Sequence, residues 1–357
     1  MMKILTVVGA RPQFVKAAVL SREIKKHEGM AEVMVHTGQH YDENMSEIFF
    51  TELEIPAPNY NLAVNDMDAP LMTGRMMEGL HGIIKKENPD WVIVFGDTNS
   101  TLAGALVAKQ NRIKLGHVEA GLRSHNMMML EELNRITVDR ISDILFCPTD
   151  TAMINLRNEG YDHFKSKMIL SGDIMLDAAL YNAKLALERS VILSKIGKGE
   201  FVLVTLHRSE NVDNPDILSN LVDALNEISE KIKVVLPLHP RTKKRMQEFD
   251  LHFDFETIDP VGYLDMIRLL MECKLVMTDG GGLQKEAFFF RKHCITLRDR
   301  TEWTGLVKHG YNVVAGTEIN HILRAFEQMS SKHSDFSHKL FGEGKAGEII
   351  VDALAKF

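Results

Sequence analysis

Short, continuously apolar runs alternate along the chain with longer stretches whose apolar residues recur at helical spacing. Apolar runs of about four to eight residues read as strands buried on both faces, and the periodic stretches between them read as crossover helices. Strands are predicted at residues 3–8, 32–36, 91–95, 114–118 and 144–148, with helices at 13–26, 44–53, 71–86, 102–110, 131–142 and 150–159. The second half has the same order, with strands at 167–170, 201–205, 233–237, 256–258, 274–277 and 294–296 and helical segments between them. Strands that alternate with helices pair in parallel through right-handed crossovers, so the fold class is α/β, with two doubly wound, Rossmann-like domains. Gly160, Ser171 and Gly172 punctuate the pattern near its middle. They divide it into an N-terminal domain (1–168), a C-terminal domain (169–341) and a terminal helix (342–357). Met72, Met76, Leu80 and Ile83 form one stripe, which predicts a core-facing helix rather than a ligand surface.

Composition removes several function classes. A formal charge of -7 argues against a general nucleic-acid binder, which needs a basic face to neutralise phosphates. No apolar stretch approaches the roughly 20 residues of a membrane span, and the N-terminus lacks the pattern of a signal peptide. A soluble, cytoplasmic protein without nucleic-acid or membrane partners is expected. Cys147, Cys273 and Cys294 show neither CxxC spacing nor a His/Cys cluster, so they read as buried free thiols, with no metal site.

In open parallel sheets ligands bind outside the carboxyl ends of the strands. Those positions carry Arg11 and Lys16, Gln39, His40 and Asp42, Asp97, Glu119 and Arg123 in the first half. In the second half they carry His207, Arg208 and Glu210, His239 and Arg241, and Arg298 and Glu302. Each has a purely local alternative: Asp97 beginning a helix, Glu119 pairing with Arg123, or His207 pairing with Glu210. The stretch Leu275-Val276-Met277-Thr278-Asp279-Gly280-Gly281-Gly282-Leu283-Gln284-Lys285-Glu286 adds three glycines where a strand turns into a helix. Backbone can approach a ligand closely there, and the first helical N–H groups lack intrahelical partners, which suits a phosphate. Glu286, about one turn in, is placed to accept hydrogen bonds from ribose hydroxyls. A glycine-rich turn beside a solvated glutamate is the alternative.

Several ordered motifs together carry a family resemblance. Gly9-Ala10-Arg11-Pro12-Gln13-Phe14-Val15-Lys16, Gly96-Asp97-Thr98, His117-Val118-Glu119-Ala120-Gly121-Leu122-Arg123, Glu131-Glu132-Leu133-Asn134-Arg135 and Thr205-Leu206-His207-Arg208-Ser209-Glu210-Asn211 resemble the non-hydrolysing UDP-N-acetylglucosamine 2-epimerases. With the glycine stretch and Leu297-Arg298-Asp299-Arg300-Thr301-Glu302, the similarity runs nearly end to end. It implies a glycosyltransferase-B-like fold with the active site between the domains, a last helix that crosses back to the first domain, and a homodimer. It also implies a reaction with no added cofactor: the C2 proton leaves, UDP is eliminated to a glycal-type intermediate, and UDP adds back with C2 inverted. Position by position, Asp97, Glu119 and Glu131 match the family's catalytic carboxylates, and His207 a histidine near the UDP phosphates. Arg11, Lys16, Gly281, Gly282 and Glu286 match its UDP contacts, and Gly280 and Arg298 border them.

Residues 36–42, 283–290 and 301–303 resemble the branch that acts on UDP-2,3-diacetamido-2,3-dideoxyglucuronic acid in the synthesis of surface polysaccharide. That substrate needs one more cationic or amide donor facing its C6 carboxylate. The plain alternative is UDP-N-acetylglucosamine itself; a glycosyltransferase or a non-catalytic nucleotide-sugar sensor are more distant ones. Two positions depart from the family pattern: Gly280 replaces a serine, and Leu130, after Met127-Met128-Met129, replaces a proline.

Overall fold

The computed structural model describes residues 1–39, 54–65 and 67–357. The helix expected at 44–53 and the strand-end residues His40 and Asp42 lie outside them. The chain divides into two compact units, Met1–Leu180 with Lys339–Phe357, and Tyr181–His338.

The first unit contains β1 (Met2–Val8), α1 (Arg11–Ile24), β2 (Met30–His36), β3 (Tyr60–Asn61), α2 (Ala69–Glu87), β4 (Trp91–Phe95), α3 (Asn99–Gln110), β5 (Lys114–Val118), α4 (Leu130–Ile141), β6 (Ile144–Cys147), α5 (Asp150–Asn158) and β7 (Lys167–Leu170). Its strands pair in the order β3-β2-β1-β4-β5-β6-β7, all parallel. The order reverses between β1 and β4, and ligands of such sheets bind in the crevice that opens at that reversal. Every residue of β4 is buried, as expected of a parallel strand covered on both faces. Met76, Leu80, Ile83 and Ile84 of α2 pack into the same core as Leu5, Val92 and Val94, so the methionine stripe is core.

After α6 (Ile174–Arg189) and α7 (Ile192–Ile196), the second unit contains β8 (Phe201–Thr205), α8 (Ser209–Val212), α9 (Pro215–Ser229), β9 (Lys233–Val235), α10 (Pro240–Glu248), α11 (Tyr263–Glu272), β10 (Leu275–Thr278), α12 (Gly281–Phe289), β11 (His293–Thr296), α13 (Thr304–Lys308), β12 (Asn312–Val314) and α14 (Ile319–Ser330). Its sheet runs β12-β11-β10-β8-β9, again parallel, and reverses between β8 and β10.

The last helix, α15 (Ala346–Lys356), belongs to the first unit and packs on α1. Its Ile350, Val351 and Leu354 are fully buried, each contributing about 1.5–3 kcal/mol. The N–H of Gly347 donates to Asp177 at 2.9 Å, and the Phe357 ring meets Trp91 edge-on at 5.2 Å.

The segment predicted as a strand at 256–258 makes a single bridge, Ile258 with Pro237. Pro237 has no N–H to extend a ladder, and Pro260 lies two residues past Ile258, so pairing stops after one residue. Cys147, Cys273 and Cys294 are buried free thiols, and burial pushes Cys147 and Cys273 each up to about 12. Among the described residues no helix is long and apolar enough to cross a membrane, and no cluster of His, Cys, Asp or Glu could hold a metal ion.

Candidate active site

At the reversal in the first sheet, the turns after β1, β4 and β5 are tied together by side chains. Buried Gln13 accepts from the N–H groups of Gly9 (2.8 Å) and Ala10 (3.1 Å). Its amide donates to Phe95 O (2.7 Å) and to the hydroxyls of Thr98 and Thr101 (2.9 Å each). One residue thereby satisfies the orphan backbone groups of two neighbouring turns. Lys16, on the buried face of α1, forms an ion pair with Glu119, which follows β5, and both side chains are largely closed to solvent. Asp97, which follows β4, pairs with Arg135 of α4, and its carbonyl accepts from Asn134 Nδ2 at 2.9 Å.

Two left-handed backbone positions present these carboxylates, Gly96 at φ +62° and Glu119 at φ +74°. For a glutamate this conformation costs about 1–3 kcal/mol and persists only where the surroundings impose it. A Cβ on Gly96 would lie 3.4 Å from Glu119 Oε2 and 3.6 Å from Lys16 Nζ, so the Lys16–Glu119 pair rests directly over the residue that precedes Asp97. Burial pushes the Asp97 carboxyl above the ordinary aspartate value; Arg135 opposes the shift, and the charge on Glu119 adds to it. Carboxylates that sense each other and sit with fixed cations are suited to holding and moving protons.

Neither Asp97 nor Glu119 has the local role that its sequence neighbours offer. Thr98, not Asp97, caps α3, its hydroxyl accepting from Thr101 N. Arg123 leaves Glu119 alone and pairs with Asp139 (2.7 Å) and Glu159 (2.6 Å). Glu131 is exposed in the first turn of α4, one turn ahead of Arg135 and on the same side. Its neighbour Glu132 is buried and accepts from Ser124 N, His125 N (2.8 Å) and Arg135 Nη1 (2.6 Å). Burial alone would raise the Glu132 carboxyl; the two N–H groups and Arg135 outweigh it and hold it below the glutamate value. This anchor ties Ser124 and His125, at the start of the loop that leads to Leu130, to the first turn of α4. Arg11 is exposed as the first residue of α1.

The reversal in the second sheet places His207, Asp279 and the three glycines together. Asp279, fully buried, accepts from the backbone N–H groups of His207 and Arg208 (2.9 Å each), and its other oxygen lies 3.0 Å from His207 Nδ1. Burial disfavours its charge, but the imidazole and the two backbone donors overcome that and depress its carboxyl below the aspartate value. His207 therefore pairs with Asp279 rather than Glu210, which binds Arg298 Nε at 2.7 Å. An imidazole whose Nδ1–H is held by a carboxylate presents Nε2 outward in one tautomer.

Gly280 caps α12, with its N–H donating to Thr278 Oγ1 at 2.9 Å. A Cβ at Gly280 would stand 3.0 Å from His207 Cε1, so the missing side chain leaves room for the imidazole. A Cβ at Gly281 would overlap Glu302 Oε1, and its carbonyl accepts from Trp303 Nε1 at 2.9 Å. Gly282 is exposed with open space around it. The N–H groups that open α12 point along its axis at this end, where the dipole is positive. Among the described residues nothing accepts a hydrogen bond from buried Arg208 Nε or Arg298 Nη1. Glu286 lies in the second turn of α12, nearly buried, and accepts from Tyr263 Oη at 3.0 Å.

The chain matches the family model described as UDP-N-acetylglucosamine 2-epimerase over residues 22–355. It is 49% identical, over 99% of its length and 100% of the relative's, to the UDP-2,3-diacetamido-2,3-dideoxy-D-glucuronate 2-epimerase of Pseudomonas aeruginosa. It is 41% identical, over 99% of its length and 98% of the relative's, to a UDP-N-acetylglucosamine 2-epimerase of Methanococcus maripaludis. The crystal structure of the Methanocaldococcus jannaschii UDP-GlcNAc 2-epimerase, in complex with UDP-GlcNAc and UDP, superposes with a TM-score of 0.88 at 40% identity, covering 100% of both chains. Two parallel α/β units, a family model spanning almost the whole length and relatives alike from end to end agree: this chain belongs to the UDP-N-acetylglucosamine 2-epimerase family of isomerases, with a glycosyltransferase-B-like fold.

Proposed function

We propose that the protein inverts C2 of a UDP-2-acetamido sugar, with UDP-2,3-diacetamido-2,3-dideoxyglucuronic acid as its substrate, and that it works in the cytoplasm as a homodimer. The observation that carries the substrate is the 49% full-length identity to the Pseudomonas enzyme, against 41% to the Methanococcus one. The reaction reading is supported by the carboxylate cluster of the first unit and, separately, by the anion-ready helix end of the second.

C2 of such a sugar is not adjacent to a carbonyl, so its proton is weakly acidic. In the proposed reaction a carboxylate takes that proton, the C1–O bond breaks with its electron pair leaving on the diphosphate, and a C1–C2 double bond forms. UDP oxygen then attacks C1 and a proton returns to C2 from the opposite face, so atoms and charge balance without a redox partner. Asp97, Glu119 and Glu131 are the proton-handling groups. Arg11, Lys16, His207, Arg298, Glu286 and the N–H groups at Gly281 and Gly282 hold UDP, where charge develops as it leaves.

The decisive experiment is NMR of the protein with each UDP-sugar in deuterated water. Deuterium at C2 of both epimers is expected, with turnover of the diacetamido-uronate at least tenfold faster than that of UDP-N-acetylglucosamine. Epimerisation that retains protium at C2 would overturn the chemistry; faster turnover of UDP-N-acetylglucosamine would overturn the substrate and leave the chemistry standing.

A second measurement addresses the anion site. Gly281→Ala puts a methyl group where the Glu302 carboxylate stands, so that side chain must swing aside at the start of α12. UDP should bind at least tenfold more weakly by calorimetry, about 1.4 kcal/mol, with little change in melting temperature. Unchanged affinity would place the diphosphate elsewhere.

A further inference from the structure

His117, in β5, is completely buried and has no part in the chemistry above. Its Nδ1 lies 2.7 Å from Asp139 Oδ1 and its Nε2 lies 2.7 Å from the carbonyl oxygen of Gly96. A backbone carbonyl only accepts. The Asp139 carboxylate also receives Arg123 Nη1 (2.7 Å) and the N–H of Gly121 (3.1 Å) on its other oxygen, so it too acts as an acceptor. Both ring nitrogens therefore face acceptors, and both hydrogen bonds form only if each nitrogen carries a hydrogen.

The two partners of the ring lead to the two carboxylates. Gly96 ends β4 in a left-handed conformation and precedes Asp97; its N–H donates to Val118 O at 2.9 Å while its carbonyl receives His117. Asp139, at the far side of the ring, holds the N–H of Gly121, which closes the strained turn that begins at Glu119. Asp139 also lies one turn along α4 from Arg135, the partner of Asp97. Asp139 beside the ring pairs with Arg123, with Glu159 beyond, and its charge reaches the Cys147 thiol and the Tyr161 phenol, both held neutral by burial.

We propose that His117 is a positioning residue which, as a buried imidazolium, locks the Gly96–Asp97 turn and the Glu119–Gly121 turn to α4 and so sets the spacing of the two carboxylates at the reacting carbon. It rests on the reading that Asp97 and Glu119 act on the sugar. Removing the ring leaves the Gly96 carbonyl and the Oδ1 of Asp139 without the donor they share and lets the turns relax, so proton transfer loses its geometry while UDP, held by other groups, is unaffected.

The test uses the full chain with UDP and the diacetamido-uronate substrate. His117→Gln, whose amide can reach one of the two acceptors, should lower kcat about 10–100-fold with KM and UDP affinity changed less than twofold, as removing supporting partners of an active site does. His117→Leu should lower kcat further, and the C2 deuterium exchange rate should fall in step with kcat. In ¹⁵N-histidine NMR of the wild-type protein at pH 8, the His117 ring should show two protonated nitrogens. A ring with one protonated nitrogen, or a folded variant with wild-type kcat, overturns the proposal. If His117→Leu fails to fold, His117→Gln and the ring spectrum decide alone. Absence of C2 exchange in the wild-type protein would instead overturn the reaction, and the ring spectrum would still judge the imidazolium.

Discussion

Asp97→Asn is expected to lower kcat for C2 exchange by roughly 10²–10⁴-fold, the usual worth of a positioned general acid or base, while UDP affinity changes little. The substitution keeps the shape of the side chain and its reach to Arg135, so the fold should persist; what it removes is a group able to carry a proton. The pH profile supplies the second readout. Burial raises the Asp97 carboxyl, so its ionised form is lost, and with it base activity, at a higher pH than for an exposed aspartate. The acid limb of kcat/KM should therefore lie above the ordinary aspartate value. Arg135 opposes that shift, so Arg135→Gln should move the limb to still higher pH, and Asp97→Asn should abolish it. The same raised value bears on stability with a defined sign. Because the folded carboxyl takes up its proton more readily than the unfolded one, its contribution is fully present below the unfolded value and is lost as pH rises through the folded one. Unchanged exchange in Asp97→Asn would remove this residue from the proton-handling groups.

How far the sequence alone carried depends on the range of the interactions concerned. Strands such as Trp91–Phe95, Lys114–Val118 and Phe201–Thr205 could be placed to the residue, because burial on both faces of a parallel sheet demands an unbroken apolar run. Tyr60–Asn61 and Asn312–Val314 escaped notice because edge strands of two or three residues leave no run to read. At the site, Lys16, Asp97, Glu119 and His207 were visible as polar residues where apolar strands stop. The partners of Asp97 and His207 were not. Arg135 meets Asp97 across 38 residues, and Asp279 meets His207 across 72, and no local spacing encodes either contact. Asp279 did leave a signal: it stands directly between the end of β10 and three glycines, at a turn where backbone N–H groups require an acceptor, whereas Gln13, four residues past Gly9 inside α1, left none. The local alternatives for Glu119 and His207 were misleading for the opposite reason. Sequence proximity favours Arg123 and Glu210, but the left-handed turn at Glu119 and the buried carboxylate beneath His207 direct those side chains elsewhere.

Asp279→Ala should be a strongly damaging change in the second unit, lowering stability by about 2–4 kcal/mol, the cost of leaving two backbone N–H groups without their acceptor. The carboxylate accepts from two backbone donors on one oxygen, the N–H groups of His207 and Arg208, with Asn211 Nδ2 3.5 Å from that same oxygen, and its other oxygen stands 3.0 Å from the ring of His207. Without it, the N–H groups of His207 and Arg208 lose their acceptor and the turn after β8 is released. The stability effect has a sign in pH: the folded carboxyl is depressed, so its contribution is present above the unfolded aspartate value and fades as pH falls through the folded one. Denaturant melts of the wild-type protein and Asp279→Ala should therefore differ most near neutrality and converge in acid. Asp279→Asn separates fold from chemistry. Its amide oxygen can still accept from the two backbone groups, so most of the stability should return, but it no longer offers a charge to the imidazole. If His207 supports the departing diphosphate as a cation, this variant should remain folded, bind UDP several-fold more weakly and lose more in kcat than in KM, because a charge that matters only as UDP leaves is felt in the transition state. An Asp279→Asn protein with wild-type kcat would show that the His207–Asp279 pair serves the fold alone.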